Sequence, residues 1–298
     1  MKKIYRFTTL IIIMFIFSGC FSKEEYNPAG VLTVDKLENQ NLGIVVTDKL
    51  LYYMTRKITG ERHFVEYIFK DRNMERNFKA TKDNLNSVSK EDLFIYNGLD
   101  VEPWFNEFTS KLDKNKVGVI NISRGINLIN YTKEKKHNGN NILRNPYYWM
   151  NIDNYKIALL NIKNSIQDKD PKNRDYYEEN FQQEIKELSL LEKMASDVKI
   201  KLKEYTVYYG EEDLEYFTRY LGINSIKLNT NKDENHLLLE KSKDESNVIF
   251  LYNDVEKYKE YEEFINTYKI KPIRVLFLNE NANYIDTLKY DLKILGEV

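Results

Sequence analysis

The run Arg174–Tyr205, RDYYEENFQQEIKELSLLEKMASDVKIKLKEY, contains neither glycine nor proline. It follows the breaker Asp168-Lys169-Asp170-Pro171 and predicts one continuous helix. At 1.5 Å per residue such a helix measures roughly 45 Å, longer than one small lobe needs. It therefore reads as a strut between two lobes, with a coiled-coil arm as the other reading. Before it, Gly43–Thr47 is a β-branched run, and a helical pattern passes through Leu50, Leu51, Met54 and Ile58 to a stop at Gly60. His63–Phe69 alternates as a strand. Ser87–Asp92 reads as a short helix with Ser89 as its cap. Leu93–Tyr96 is then a strand, Asn97-Gly98 a turn, Pro103–Leu112 a helix and Lys116–Ile122 a strand. A helix over Asp153–Ile166 leads to the breaker. After the long run the alternation returns, with strands at Thr206–Tyr209, Val248–Tyr252 and Ile273–Leu278 and helices at Glu212–Leu221, Glu256–Tyr268 and Tyr284–Leu295. Asn229–Asn235 reads as a surface loop. Strand–helix alternation implies parallel sheets. The expected fold is α/β: two lobes, residues 43–170 and 206–298, each with a mostly parallel sheet flanked by helices, joined by a rigid helix over 171–205.

Composition narrows the function. Among 298 residues, 45 basic side chains face 46 acidic ones, a net charge of −1 that argues against a bulk nucleic-acid binder. One cysteine excludes a disulfide framework, and three scattered histidines exclude a His-rich metal cluster. No Gly-x-Ser-x-Gly and no phosphate loop is present, so an enzyme is not expected. Lys2, Lys3 and Arg6 precede the apolar run Leu10–Phe17, which suits a signal-peptide core and is too short to span a bilayer. Phe17-Ser18-Gly19-Cys20 resembles the lipobox of bacterial lipoproteins. The expectation is a signal peptide over 1–19, a lipid anchor at Cys20, a polar tether over 20–42 and a monomeric, extracytoplasmic protein on the membrane surface. A buried small hydrophobe is the alternative for Cys20.

Several motifs, in order, resemble those of the substrate-binding lipoproteins of zinc and manganese ABC importers, the cluster A-I solute-binding proteins. Phe94-Ile-Tyr-Asn-Gly-Leu-Asp-Val-Glu-Pro-Trp104 is similar to the family's segment after its third strand. Asn145-Pro-Tyr-Tyr-Trp149 stands where the family has Asp-Pro-His-x-Trp. Asp170-Pro-Lys-Asn-Arg-Asp-Tyr-Tyr177, Tyr216–Gly222 and Tyr284–Tyr290 follow the family's later helices. The resemblance implies a metal cleft between the lobes and an ABC permease as partner.

Carried over by position, the family's metal ligands are largely replaced. Its first His falls on Arg76, with Glu75 one residue away. Its second falls on Tyr147, its third ligand on Glu211, and its carboxylate on Asn279, with Glu280 adjacent. Glu at the third position resembles manganese-type members. Guanidinium has no lone pair to offer a cation, tyrosine binds metal as phenolate, and oxygen ligands suit harder ions. Three readings stay open. Glu75, Tyr147, Glu211, Asn279 and Glu280 form a recast oxygen-rich site for one divalent ion, Zn or Mn. Alternatively Arg76 pairs with Glu211 across a cleft that no longer takes metal, leaving an adhesin or accessory lipoprotein. Or Arg76 recruits an anionic or zwitterionic small molecule. His137 sits in Lys133–Asn141, read as a solvated loop, and His63 and His236 as surface or locally paired residues. Trp104 and Trp149 read as core anchors, and Tyr258, Tyr261 and Tyr268 as amphipathic packing.

Overall fold

In β1 (Gly43–Asp48) the side chains alternate between two apolar clusters: Ile44 and Val46 enter one, Val45 the other. A strand buried on both faces is the mark of a parallel sheet covered on both sides. The computed structural model describes residues 41–298 apart from 72–73, 76, 99–101, 103, 138–139, 230–234, 236–246 and 277–282. The expected signal peptide, Cys20, the tether to residue 40, Arg76, His236, Asn279 and Glu280 lie outside the described residues.

β1 pairs in parallel with β2 (Phe64–Phe69) and β3 (Leu93–Tyr96), and β3 with β4 (Gly118–Asn121), giving the order β2-β1-β3-β4. An antiparallel pair follows, β5 (Asn130–His137) and β6 (Asn140–Arg144). The second sheet contains β7 (Thr206–Tyr209), β8 (Ser225–Lys227), β9 (Val248–Tyr252) and β10 (Lys271–Arg274), all parallel, in the order β10-β9-β7-β8. Counted from its own first strand, each sheet has the same order, 2-1-3-4. The alternation repeats too: Val207, Tyr209, Ile249 and Leu251 face the core that Ile44 and Val46 face, while Tyr208 and Phe250 face outward to a separate cluster.

The helix Arg174–Lys201 runs 28 residues. Its buried positions are Tyr177, Phe181, Glu184, Leu188, Leu191, Ala195 and Val198, spaced alternately by four and three. That is a narrow seam down the full length of a helix. It packs on the N-terminal helix Lys49–Thr59, the helix Ile152–Lys169 and the last helix, Tyr284–Gly296. One continuous apolar core thus joins both sheets through this helix. Among the described residues no helix is long and apolar enough to cross a membrane.

Two polar groups interrupt the apolar seam. At its start, the Leu42 amide donates to His63 Nδ1 (3.2 Å), so the ring proton is on Nε2. Nε2 meets the Tyr177 hydroxyl at 2.5 Å, and that hydroxyl donates to Asp170 Oδ2 at 2.5 Å. His63 is buried, and burial holds its pKa below the ordinary value. In mid-helix, buried Glu184 takes Lys57 Nζ at 2.8 Å and the Tyr155 hydroxyl at 3.4 Å. Burial raises the Glu184 carboxyl above its usual range, against the pull of Lys57. Tyr155 stacks on Tyr284 with centroids 4.0 Å apart, linking the middle of the molecule to the last helix.

The structure corrects several local expectations. The helix expected over Ser87–Asp92 instead covers Lys82–Val88, because Thr81 and Asn84 form a reciprocal capping box; Ser89 is its C-cap. Of the solvated loop expected over Lys133–Asn141, residues 133–137 lie in β5 and 140–141 in β6, while 138–139 lie outside the described residues. The helix expected over Glu256–Tyr268 is two, Val255–Lys259 and Glu262–Thr267, and the strand β8 was not foreseen. The long helix stops at Lys201, with Leu202–Tyr205 turning to reach β7. His63 is buried and pairs through both ring nitrogens, so the surface alternative for it falls away. Trp104 and Trp149 are buried, and Tyr258, Tyr261 and Tyr268 pack on the outer cluster around Tyr208 and Phe250, as expected.

Two outcomes follow. Lys57→Met leaves Glu184 buried without its ammonium and should cost about 2 kcal/mol in urea unfolding, most of it recovered in Lys57→Met/Glu184→Leu. His63 resists protonation in the folded state, whereas the unfolded chain takes up that proton near pH 6.5. Stability should therefore hold above about pH 6.5 and decline as pH falls below it. His63→Phe should flatten that part of the curve; an unchanged slope would count against the assignment.

Candidate functional site

In open parallel sheets, ligands bind beyond the carboxyl ends of the strands, where the strand order reverses. Here those points lie between β1 and β3 and between β7 and β9, and each holds a buried glutamate. In the first sheet Glu102 accepts from Thr47 Oγ1 (3.0 Å) and from the amides of Asn97 (2.9 Å) and Gly98 (2.9 Å). In the second, Glu211 Oε1 accepts from the amides of Asn253 (3.1 Å) and Asp254 (3.2 Å), the residues that follow β9.

The Asn145–Trp149 segment ties the two strand ends together. Tyr148 donates to Asn97 Oδ1 (3.2 Å) on one side, and Asn145 Nδ2 donates to the Glu212 carbonyl (2.7 Å) on the other. The Trp149 carbonyl accepts from the Tyr284 hydroxyl (2.7 Å). Tyr147 is half-buried, its ring edge-on to Trp149 at 5.4 Å.

Three consecutive acids, Glu211, Glu212 and Asp213, follow Gly210, and each meets a lysine from a different element. Lys257 Nζ lies 3.2 Å from Glu211 Oε2 and 3.7 Å from Asp213 Oδ2. Lys227, on β8, lies 2.7 Å from Glu212 Oε1. Lys135, on β5, lies 3.0 Å from Asp213 Oδ1 and 3.7 Å from the centre of the Tyr131 ring. The hairpin adds the Tyr131 hydroxyl on Asp213 (2.8 Å) and both the amide and hydroxyl of Thr132 on Glu212. Gly210 is required here, since a Cβ would meet the Tyr261 ring at 2.3 Å. These residues border a cavity of about 310 Å³ whose walls carry Lys135, Lys227 and Lys257 against Glu211, Glu212 and Glu260. Burial disfavours the Lys257 ammonium, but Asp213, Glu211 and Tyr147 together hold its pKa above the ordinary value. Burial likewise works to raise the Glu212 carboxyl, and the bonds from Lys227 and Thr132 outweigh it and hold it low.

Of the sequence-predicted ligands, Tyr147 and Glu211 come to one place, both beside Lys257. Glu75 is buried in the turn after β2, its amide on the Asp71 carbonyl at 3.2 Å. Among the described residues, no group of three or more His, Cys, Asp and Glu side chains is arranged to hold a metal ion. Lys257, Lys227, Lys135, Tyr131 and Asp213 were not singled out from sequence. One cue did exist: Asn138-Gly139 is a strong hairpin signal, and a hairpin would have brought Lys135 forward. Lys257 carried no local signal.

Two parallel sheets of identical order, joined through a single long helix, define a two-lobed solute-binding fold. The chain belongs to the ZnuA family, zinc-uptake complex component A, periplasmic, whose profile it matches over residues 44–295. That family consists of solute-binding proteins for metal transport and not of enzymes. Among its relatives is the manganese ABC transporter substrate-binding lipoprotein PsaA of Streptococcus mitis, 25% identical over 76% of this chain and 71% of the relative. A metal ABC transporter substrate-binding lipoprotein of Lactococcus lactis is 27% identical over 74% and 68%. Among solved structures, the metal-dependent lipoprotein YcdH of Bacillus subtilis superposes with a TM-score of 0.70 at 19% identity, over 86% of this chain and 98% of that one. The Zn(II)-bound ZnuA-like domain of Streptococcus pneumoniae AdcA gives 0.68 at 18% identity, over 86% and 98%. At these identities the structural likeness establishes the fold.

Asp213→Ala removes the acceptor shared by Tyr131, Lys135 and Lys257. The Lys135 side chain is 39% exposed, so solvent holds its pair to about 1 kcal/mol, and with the Tyr131 bond lost as well tryptic cleavage after Lys135 and Lys136 should accelerate at least tenfold. Unchanged cleavage would show that the hairpin is held by other contacts.

Proposed function

We propose that this protein is the extracytoplasmic, lipid-anchored substrate-binding component of an ABC importer, and that its cargo is a single divalent ion of the zinc and manganese class. The observation that carries this reading is the family match across nearly the whole globular chain, 44–295, together with the architecture of two sheets on one helix. The anchor is Cys20, the partner an ABC permease, and residues 43–170 and 206–298 are the two lobes that close on the ion.

Glu211 and Tyr147 are the ligands at the core of the proposed site, with Asn279 and Glu280 from the segment after β10 and Glu75 or Arg76 from the segment after β2 completing the cleft. The donors are oxygen atoms and no imidazole is among them. Such a set favours a harder ion than the histidine-rich sites of zinc proteins do, so manganese is the proposed cargo. Glu211 supports the role by its setting: two backbone amides fix one oxygen and leave the other directed at a cation.

The test is calorimetry on the chain from residue 21 onward, stripped with chelator and titrated with Mn²⁺, Zn²⁺ and Ca²⁺. One-to-one binding of Mn²⁺ is expected, weakened at least tenfold in Glu211→Ala and Glu211→Gln alike. Heat from none of these ions would sink the metal reading and move the search to organic ligands.

A further inference from the structure

The Glu211 carboxylate already holds a cation, and that cation belongs to the protein. Lys257 Nζ lies between Glu211 Oε2 (3.2 Å) and Asp213 Oδ2 (3.7 Å), with Tyr147 nearby. The Glu211 side chain is 4% exposed, whereas that of Lys257 is 43% exposed. The carboxylate is therefore fixed and the ammonium is on the solvent side of it. Glu211 Oε1 is occupied by the two amides after β9, so an ion bound to this residue must use Oε2, the atom Lys257 holds. An ammonium is a compact charge on a flexible four-carbon stem and can swing into water without moving the backbone. Lys257 lies in the short helix Val255–Lys259, whose N-cap Asp254 accepts from the amides of Glu256 and Lys257.

We propose that Lys257 is a tethered competitor for the cargo cation: its ammonium occupies the cation position of the empty cleft, and a divalent ion binds only by displacing it. This rests on the proposed metal-capture function and deepens it, since it names the residue that sets the affinity and the threshold for capture. Lys257 keeps two buried acids neutralised when no ion is bound, which an empty acidic cleft would otherwise leave as unpaired charge. Because a dication carries twice the charge, it wins the exchange only when its concentration is high enough to outcompete a partner held at high local concentration by the chain. The lysine thereby weakens binding and sets the free-ion level at which the cleft fills.

The experiment compares wild type, Lys257→Met and Lys257→Gln by calorimetry with Mn²⁺ and Zn²⁺, with Lys111→Met as a charge control on a distant surface helix. The expected result is affinity tightened at least tenfold in both Lys257 variants and changed less than twofold in Lys111→Met. A second readout needs no variant: acetylation of Lys257, followed by mass spectrometry in wild type, should rise severalfold on saturation with Zn²⁺ as the amine is released. Binding by Lys257→Met where wild type shows none would overturn the metal-capture function of the natural chain and this proposal with it. Wild-type binding with unchanged or weaker affinity in both variants, or Zn²⁺-bound protein whose Lys257 stays protected, would overturn it and leave the metal-capture function standing. No binding by wild type or by any variant would overturn both.

Discussion

Everything in this protein hangs on one apolar seam, the alternating three- and four-residue stripe from Tyr177 to Val198. A helix of 28 residues would bend or fray in water if held at one end only, and here it is gripped from both lobes along its length. Because the inner faces of both sheets reach the same core, separating the lobes would expose Ile44 and Val46 on one side and Val207 and Leu251 on the other. Wide hinge motion is costly under that constraint. A cleft that opens little must change its chemistry through side chains and short segments, which puts the weight on groups such as Lys257 and on the β5–β6 hairpin.

The repeated strand order allows a comparison within one molecule. Glu102 and Glu211 occupy equivalent places, each buried beyond the ends of the first and third strands of its sheet. Glu102 is bound on both oxygens by neutral donors, a hydroxyl and two amides. Such a carboxylate fixes the turn and has a structural task. Glu211 spends one oxygen on the same task and turns the other to an ammonium. The difference between Glu102 and Glu211, the proposed ligand, lies in that second oxygen.

The architecture was legible in the sequence because its determinants are local and repeated. Val45 and Phe94 alternate with their neighbours between two cores, the helix breakers at Gly60, Pro171 and Gly222 stand where chain direction changes, and the long run lacks both glycine and proline. What escaped was set by tertiary contacts or by weak edges. β8 is a three-residue edge strand, Ser225–Lys227, with no apolar period to announce it. The Thr81–Asn84 capping box outweighed the serine-based cap expected eight residues later, at Ser89. The hairpin carried its Asn-Gly cue, yet all nine residues from Lys133 to Asn141 are Lys, Glu, His, Asn or Gly and gave no strand pattern. The family register drew attention to Tyr147 and Glu211, because motif spacing encodes which loops follow which strands. It could not find Lys257, whose position opposite Glu211 exists only once β7 and β9 pair.

The lysines bear on a general point about divergence in a binding cleft. Replacing a neutral imidazole by a neutral tyrosine changes no charge in an empty cleft, so a carboxylate buried there still needs a cationic partner. At 4 Å and an effective dielectric near 20, two unit charges interact by about 4 kcal/mol, enough to destabilise a lobe if left unbalanced. A nearby lysine restores balance at once, and three are present around Glu211-Glu212-Asp213. Only one of the three is poised on the oxygen that faces the cleft. Lys227 and Lys135 bind acids that the hairpin also binds through Thr132 and Tyr131, so their pairs fasten one segment to another. Lys257 instead bridges Glu211 and Asp213 with a half-exposed side chain, on the oxygen of Glu211 that the amides after β9 leave open. A buried carboxylate is balanced equally by an ammonium or by a dication, so the group that neutralises the empty cleft is also the one an incoming ion has to replace.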